Sequence, residues 1–246
     1  MNLSKSAMTA IAVLTLFTTA CSKSNDAPPS TPAADNGGLK AAMSQAGAQK
    51  AAIAALPQAN KDTPIEQYVK IDSGNQLMFA YYAFSGLPID YEKIAGVYSQ
   101  DYRQTADEFK KRDILTAIKP RIDAEIAKIK EQRYFKFESD VNLSHYDFDK
   151  KSFAVNDSLL GNTGFSYFYD NPTYRLSVTN GEQFRRLNVP DENQARAIEK
   201  MVNDRSGLNM QLYLYAQDVD TSNSTVKFQI VKIKLTDRQG GELLSQ

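Results

Sequence analysis

The period of the hydrophobic pattern changes once along this chain, at Arg133, and that change constrains the fold more than any other feature. Before it, apolar residues recur at three- and four-residue intervals; after it, they alternate. Residues 75–85 (NQLMFAYYAFS) set Leu77, Met78, Tyr81, Tyr82 and Ser85 at helical spacing, Phe79 and Phe84 widen the apolar surface, and Gly86 and Pro88 stop the run. Asp90 is placed to cap a second helix carrying Ile94, Val97, Tyr98 and Tyr102 along one face. A third begins near Thr105 and carries Phe109, Arg112 and Asp113 towards Ile114, Leu115 and Ile118. Proline lacks the N–H that a helix interior needs, so Pro120 predicts the first turn of a separate fourth helix, with a stripe of Ile122, Ile126 and Ile129.

Beyond Arg133, residues 134–143 (YFKFESDVNL) alternate and are rich in aromatic and β-branched types, as strands are. Shorter runs follow at 146–149, 152–155, 165–169, 173–179 and 183–188, and the longest at 210–219 and 225–236. Pro190 to Asn203 reads as one helix, with Ala195, Ile198, Met201 and Val202 inward and Gly207 beyond its end. In the last strand the apolar parity shifts from Val226, Phe228 and Ile230 to Val231, Ile233 and Leu235. The shift predicts a bulge, or a strand covered on both faces. The fold class is therefore α+β: a helical region over 63–133 packed on or beside a mostly antiparallel sheet over 134–246, with one inserted helix near 190–203.

The first 62 residues have another character. Residues 1–21 (MNLSKSAMTAIAVLTLFTTAC) carry Lys5, an apolar run from Ala7 to Phe17, then small residues up to the single cysteine of the chain. A spanning helix needs roughly 20 apolar residues, and this run is too short; a positive start, a short apolar core and small residues define an export signal. The segment resembles a bacterial lipoprotein signal peptide, which implies cleavage after residue 20, lipidation of Cys21 and a near-permanent membrane anchor, since each buried methylene contributes about 0.8 kcal/mol. Ser22, in place of an aspartate, implies the periplasmic face of the outer membrane. Residues 22–38 (SKSNDAPPSTPAADNGG) hold almost no large apolar group and cannot offset their ordering entropy. Together with the Ala-rich stretch that follows, residues 21–62 read as a disordered tether.

Cleavage would remove one basic residue, Lys5, of the 29 in the chain and none of the 29 acidic ones. Near-neutral charge argues against nucleic acid as a partner. With its only cysteine used for lipid, the fold must rest on packing without a disulfide.

The run DEFKKRDILTAIKPRIDAEIAK (107–128), followed by YFKFE and HYDFDKKSF, resembles an uncharacterised family of Gram-negative exported proteins of unknown function. The resemblance covers roughly residues 64–240 and implies an envelope location, but no activity, cofactor or catalytic residue.

Several constellations could carry chemistry. On a strand, His145, Asp147 and Asp149 would share one face, where one imidazole and two carboxylates could hold a divalent cation or act as base and orienters; Asp140 could add a ligand. A half-buried edge strand with a wet polar face explains the same residues. Asp218, Asp220 and Ser222 imitate the start of a calcium loop, but Asn223 and Gln229 stand where such a loop needs Gly and Glu, and a hairpin turn suffices. Ser224-Thr-Val-Lys227 matches S-x-x-K without the further motifs of penicillin-recognising enzymes. Arg185 and Arg186 could clamp an anion or flank a neighbouring acid. The aromatic residues Tyr81, Tyr82, Phe84, Tyr91, Tyr98 and Tyr102 in the helices, and Phe165, Tyr167, Phe168, Tyr169 and Tyr174 in the strands, read mainly as core; exposed ones could stack on sugars or anchor a partner.

These readings predict an envelope lipoprotein whose tethered domain binds a protein or cell-wall component without catalysis, needing no cofactor. The alternatives are a periplasmic enzyme or metal-binding protein using His145, Asp147 and Asp149, and a carrier of a small ligand or lipid.

Overall fold

The computed structural model of the protein describes Ser44, Gly47, Ala48 and residues 50–246. The expected signal peptide, Cys21 and the tether up to that point lie outside the described residues. Residues Gln45–Gln246 form a single unit, so the helical and strand regions share one core.

Helix α1 includes residues 50–54. Helix α2 (Gly74–Ser85) starts where the Ser73 hydroxyl accepts the Asn75 N–H, and stops at Gly86, whose φ of 67° a side chain would disfavour. Apolar on nearly every side, α2 is buried between the sheet and the long helix behind it. Asp90 caps α3 (Tyr91–Tyr98) through the Lys93 N–H at 3.0 Å. The expected continuation to Tyr102 is broken at Ser99, whose hydroxyl caps a separate short helix, α4 (Gln100–Gln104).

Pro120 does not open a fourth helix. It lies inside α5, which runs unbroken over Glu108–Glu131. The missing N–H costs one hydrogen bond, but Ile118 packs against the core before the proline, and Ile122, Ile126 and Ile129 are buried after it. That continuous stripe outweighs the local preference.

The main sheet contains β1 (Val69–Lys70), β2 (Tyr134–Val141), β4 (Ser166–Tyr167), β5 (Arg175–Val178), β7 (Leu208–Asp220), β8 (Thr225–Asp237) and β9 (Glu242–Ser245); β3 (Ser152–Ala154) and β6 (Arg186–Asn188) form a small antiparallel pair. The order is β1-β2-β7-β8-β5-β4, with β9 also on β8. One edge of β8 is shared: β5 runs parallel to its first four residues, and β9 pairs with Lys234–Thr236. Apart from β1–β2 and β5–β8 the pairings are antiparallel. The inserted helix, α6 (Glu192–Asn203), turns Ala195 and Ile198 into the core. The run at 146–149 is a turn rather than a strand, and a short 3-10 segment delays the strand expected from 183 until Arg186.

The inner face of the sheet is built from rows across strands: Phe137–Leu212–Ile233, Phe135–Leu214–Ile230 and Ala216–Phe228–Val178. The parity shift in β8 is a bulge. Tyr213 pairs with Lys232 and Leu214 with Ile230, so Val231 is the extra residue and the buried set stays on one face.

The outer face carries a run of tyrosines, Tyr213–Tyr68–Tyr134–Tyr215, with successive ring centroids 5.0–5.2 Å apart. Burial, and then the neighbouring Tyr134 and Tyr213, push the Tyr68 hydroxyl up to about 12. Residues 57–60, in the stretch expected as tether, are fastened to this face. Gln217 donates to the Pro57 carbonyl at 2.8 Å, the Ala59 N–H donates to Gln229 at 2.9 Å, and the Asn60 N–H donates to the Tyr134 hydroxyl at 3.0 Å. The signal for this strap was absent from the local sequence because its partners lie far along the chain.

Candidate functional site

Three motifs that look unrelated in the sequence converge on one groove of about 580 Å3 at the outer face of the sheet. They are the calcium-loop mimic (Asp218, Asp220), Lys227 of S-x-x-K and the aromatic Phe165. Strand alternation explains most of this. In β5, Leu176 and Val178 point to the core, which turns Arg175 and Ser177 outward. In β8, Lys227 stands beside Ser177, and Thr225 beside Arg175.

A second irregularity places the acids. Ala216 pairs with Phe228 but Asp218 with Lys227, so Gln217 is an extra residue in β7. In an unbroken ladder, with Gln217 paired in turn, Asp218 would have the parity of the buried Ala216; with the bulge, Asp218 and Asp220 share the outer face with Lys227. The bulge also frees the Gln217 side chain, which accepts from the Thr179 hydroxyl at 2.7 Å and holds Pro57.

Two walls flank this floor. One is α1 and the residues after it, with Ala52, Ile53 and Leu56 facing the groove. The other is the loop 162–165, closed by Gly164: a Cβ there would collide with the Ser158 carbonyl. Phe165 stacks against the Arg175 guanidinium, 4.4 Å from the ring centroid. Arg175 has no side-chain hydrogen bond or carboxylate partner among the described residues, so its planar donors are fixed in direction and available. Lys227 and Asp218 approach to 3.6 Å, a loose, half-exposed pair. Asp220 accepts from the Ser222 hydroxyl at 2.6 Å, the Asn223 amide at 3.1 Å and the Ser222 N–H at 3.0 Å, and these bonds hold its carboxyl below the usual range. This is the hairpin turn, and its oxygens are engaged in holding it.

The metal-ligand reading of His145, Asp147 and Asp149 does not fit the geometry. These residues lie in and just before a turn rather than on one strand face, and they do not share a partner. His145 Nδ1 is 2.7 Å from Glu199, which also accepts the Tyr146 N–H at 2.9 Å and the Asn203 amide at 3.1 Å. Burial opposes ionisation of Glu199, but these bonds, the His145 one foremost, hold its carboxyl low. Asp147 is taken by the Lys150 N–H and Nζ, both at 3.0 Å, and by Arg186 at 3.4 Å. Asp149 is exposed, and Asp140 is exposed on β2. Among the described residues no group of three or more His, Cys, Asp or Glu side chains is arranged to hold a metal ion. Glu199, the real partner of His145, is 54 positions away and carries no local sequence signal.

Arg185 and Arg186 flank acids, Glu182 at 3.6 Å and Asp147 at 3.4 Å. The aromatics divide. Tyr81, Tyr82 and Tyr174 are core, and burial pushes the Tyr174 hydroxyl far up. Phe165, Tyr167 and Tyr169 are exposed at the β4 edge, Tyr169 at 91%. Sequence reasoning missed Arg175; its place at the start of an alternating strand, out of phase with Leu176 and Val178, is the local sign that it faces outward.

Residues 90–200 match a family described as a domain of unknown function (DUF4852). The matched stretch begins at the cap of α3, ends in α6 and includes Phe165 and Arg175; α1, Asp218 and Lys227 lie outside it. Neither a curated protein nor a solved structure matches the chain.

Proposed function

We propose that this chain is a cell-envelope lipoprotein, anchored through Cys21 at the periplasmic face of the outer membrane, whose domain binds a protein or cell-wall component without catalysing a reaction on it. The observation that carries the binding reading is Arg175: a guanidinium stacked on Phe165, without a carboxylate partner among the described residues, and set in the floor of a groove with an apolar wall. Arginine stays charged at every working pH and cannot exchange protons with a substrate, but it recognises carboxylates and phosphates through paired donors. The other charged groups of the floor have partners of their own, Lys227 loosely with Asp218 and Asp220 within its turn. Such a set suits recognition more than proton transfer. The volume lies within the usual range for ligand sites, about 300–1,000 Å3.

The anchoring reading is supported by residues 1–21 and by the spacer that follows. Among the described residues no helix is long and apolar enough to cross a membrane. Growth with a clickable palmitate analogue tests this. The wild-type protein is expected to take up label and sediment with outer membranes, and Cys21→Ala is expected to do neither. Label on Cys21→Ala, or an unlabelled wild type, contradicts the anchor. Turnover of peptidoglycan or ester substrates by the purified protein contradicts the non-catalytic reading.

A further inference from the structure

The floor of the groove is polarised across the strands. At one level the order is Arg175 (β5), Thr225 (β8), Asp220 (β7); at the next it is Ser177, Lys227, Asp218. Arg175, which has no carboxylate partner among the described residues, therefore stands on one side and the carboxylates on the other, their backbones two strand spacings, about 10 Å, apart. Between them, on β8, lie Thr225 and Lys227; Ser177 and Thr179 follow Arg175 along its own strand, and the facing wall offers Ala52, Ile53 and Leu56.

We propose that this groove binds a short peptide bearing both a free carboxylate and a free amino group, the chemistry of the peptide stems of a cell wall. This rests on the binding reading above and names its ligand class. The carboxylate meets Arg175, whose stacking on Phe165 fixes the direction of its donors. The amino group lies towards Asp218, whose tie to Lys227 at 3.6 Å is loose enough to be shared. The diagonal from Arg175 to Asp218, two strands across and two residues along, is about 12 Å between backbones, which corresponds to about three to four extended residues. Small apolar side chains then face Ile53 and Leu56, while the peptide amides meet the hydroxyls of the floor.

The test is calorimetric titration of the full-length protein with tri-alanine, its C-terminal amide and its N-acetyl form. The free tripeptide is expected to bind, and each blocked form to bind at least about tenfold more weakly, as loss of a charge-assisted hydrogen bond implies. Arg175→Gln is expected to abolish the preference for acid over amide, and Arg175→Lys to restore only part of it. Muropeptide fragments are expected to compete with tri-alanine. Equal binding of acid and amide, an intact preference in Arg175→Gln, or no binding of tri-alanine and muropeptides overturns the proposal; should Arg175→Gln not fold, the blocked peptides on the wild type decide alone. The two claims fail separately. Absence of peptide binding alongside a groove crosslink to an envelope protein overturns only the ligand class, and cleavage of a bound peptide overturns only the non-catalytic reading.

Discussion

Gln217 joins the two features that make the groove. As the extra residue of β7 it turns Asp218 outward, and through its side chain, buried to 5% exposure, it holds both Thr179 and the Pro57 carbonyl. Gln217→Ala removes both bonds and is expected to destabilise the fold by about 0.5–1.5 kcal/mol, read by urea unfolding. Gly74 is a second sensitive position. A Cβ there falls on the Asn171 backbone carbonyl and Cβ, neither of which is a flexible chain end. Gly74→Ala is expected to lower stability by about 2–3 kcal/mol. Beside it, Asp170 accepts the Gly74 N–H at 2.8 Å and the Ser73 hydroxyl at 2.7 Å. Burial disfavours the Asp170 charge, but these bonds outweigh it and hold the carboxyl below its ordinary value. The same is true of Glu199. A carboxyl lowered in the folded state contributes stability that is fully present above its unfolded value, near pH 4, and is lost as pH falls through the folded value. Thermal melts from pH 7 to pH 2 are expected to show Tm falling below about pH 4.5, less steeply in the Asp170→Asn variant than in the wild type.

At the scale of elements, the sequence reads well where a pattern is local. Helix α2 with Gly86, the Asp90 cap, β2, β7, β8 and the bulge at Val231 all follow from period and punctuation within a dozen residues. It misleads where distant packing outweighs a local preference. Pro120 looks like a boundary, yet α5 crosses it because the isoleucine stripe is held on both sides. Pro120→Ala is therefore expected to stabilise the protein by about 1–3 kcal/mol, measured by denaturant midpoint at unchanged m-value. Residues 57–60 look like tether for the complementary reason: their composition is weak, but Tyr134, Gln217 and Gln229 supply the hydrogen bonds. Tyr134→Phe removes the acceptor of the Asn60 N–H and is expected to cost about 0.5–1.5 kcal/mol and to speed proteolysis within residues 50–62. His145 and Glu199 show the same limit, since a pair joined across 54 positions has no spacing rule.

The described residues from 50 onward form an α+β unit in which a helical layer covers one sheet face and the strap at 57–60 covers part of the other. The groove opens where that strap ends, and its residues come from four separate stretches: 52–56, 162–165, 175–179 and 218–227. Each stretch suggested something different by itself, and only the strand register brings Arg175, Lys227 and Asp218 to one floor. The account's central claim is that this floor is where an anchored protein meets an envelope component. The most direct test places a photo-crosslinking amino acid at Ser177, between Arg175 and Thr179 on the groove floor, in intact cells. The account predicts one dominant adduct, a cell-wall fragment or an envelope protein by mass spectrometry, captured by the lipid-anchored form and lost in Arg175→Gln. Crosslinks that are absent, or that are unchanged in Arg175→Gln, would contradict it.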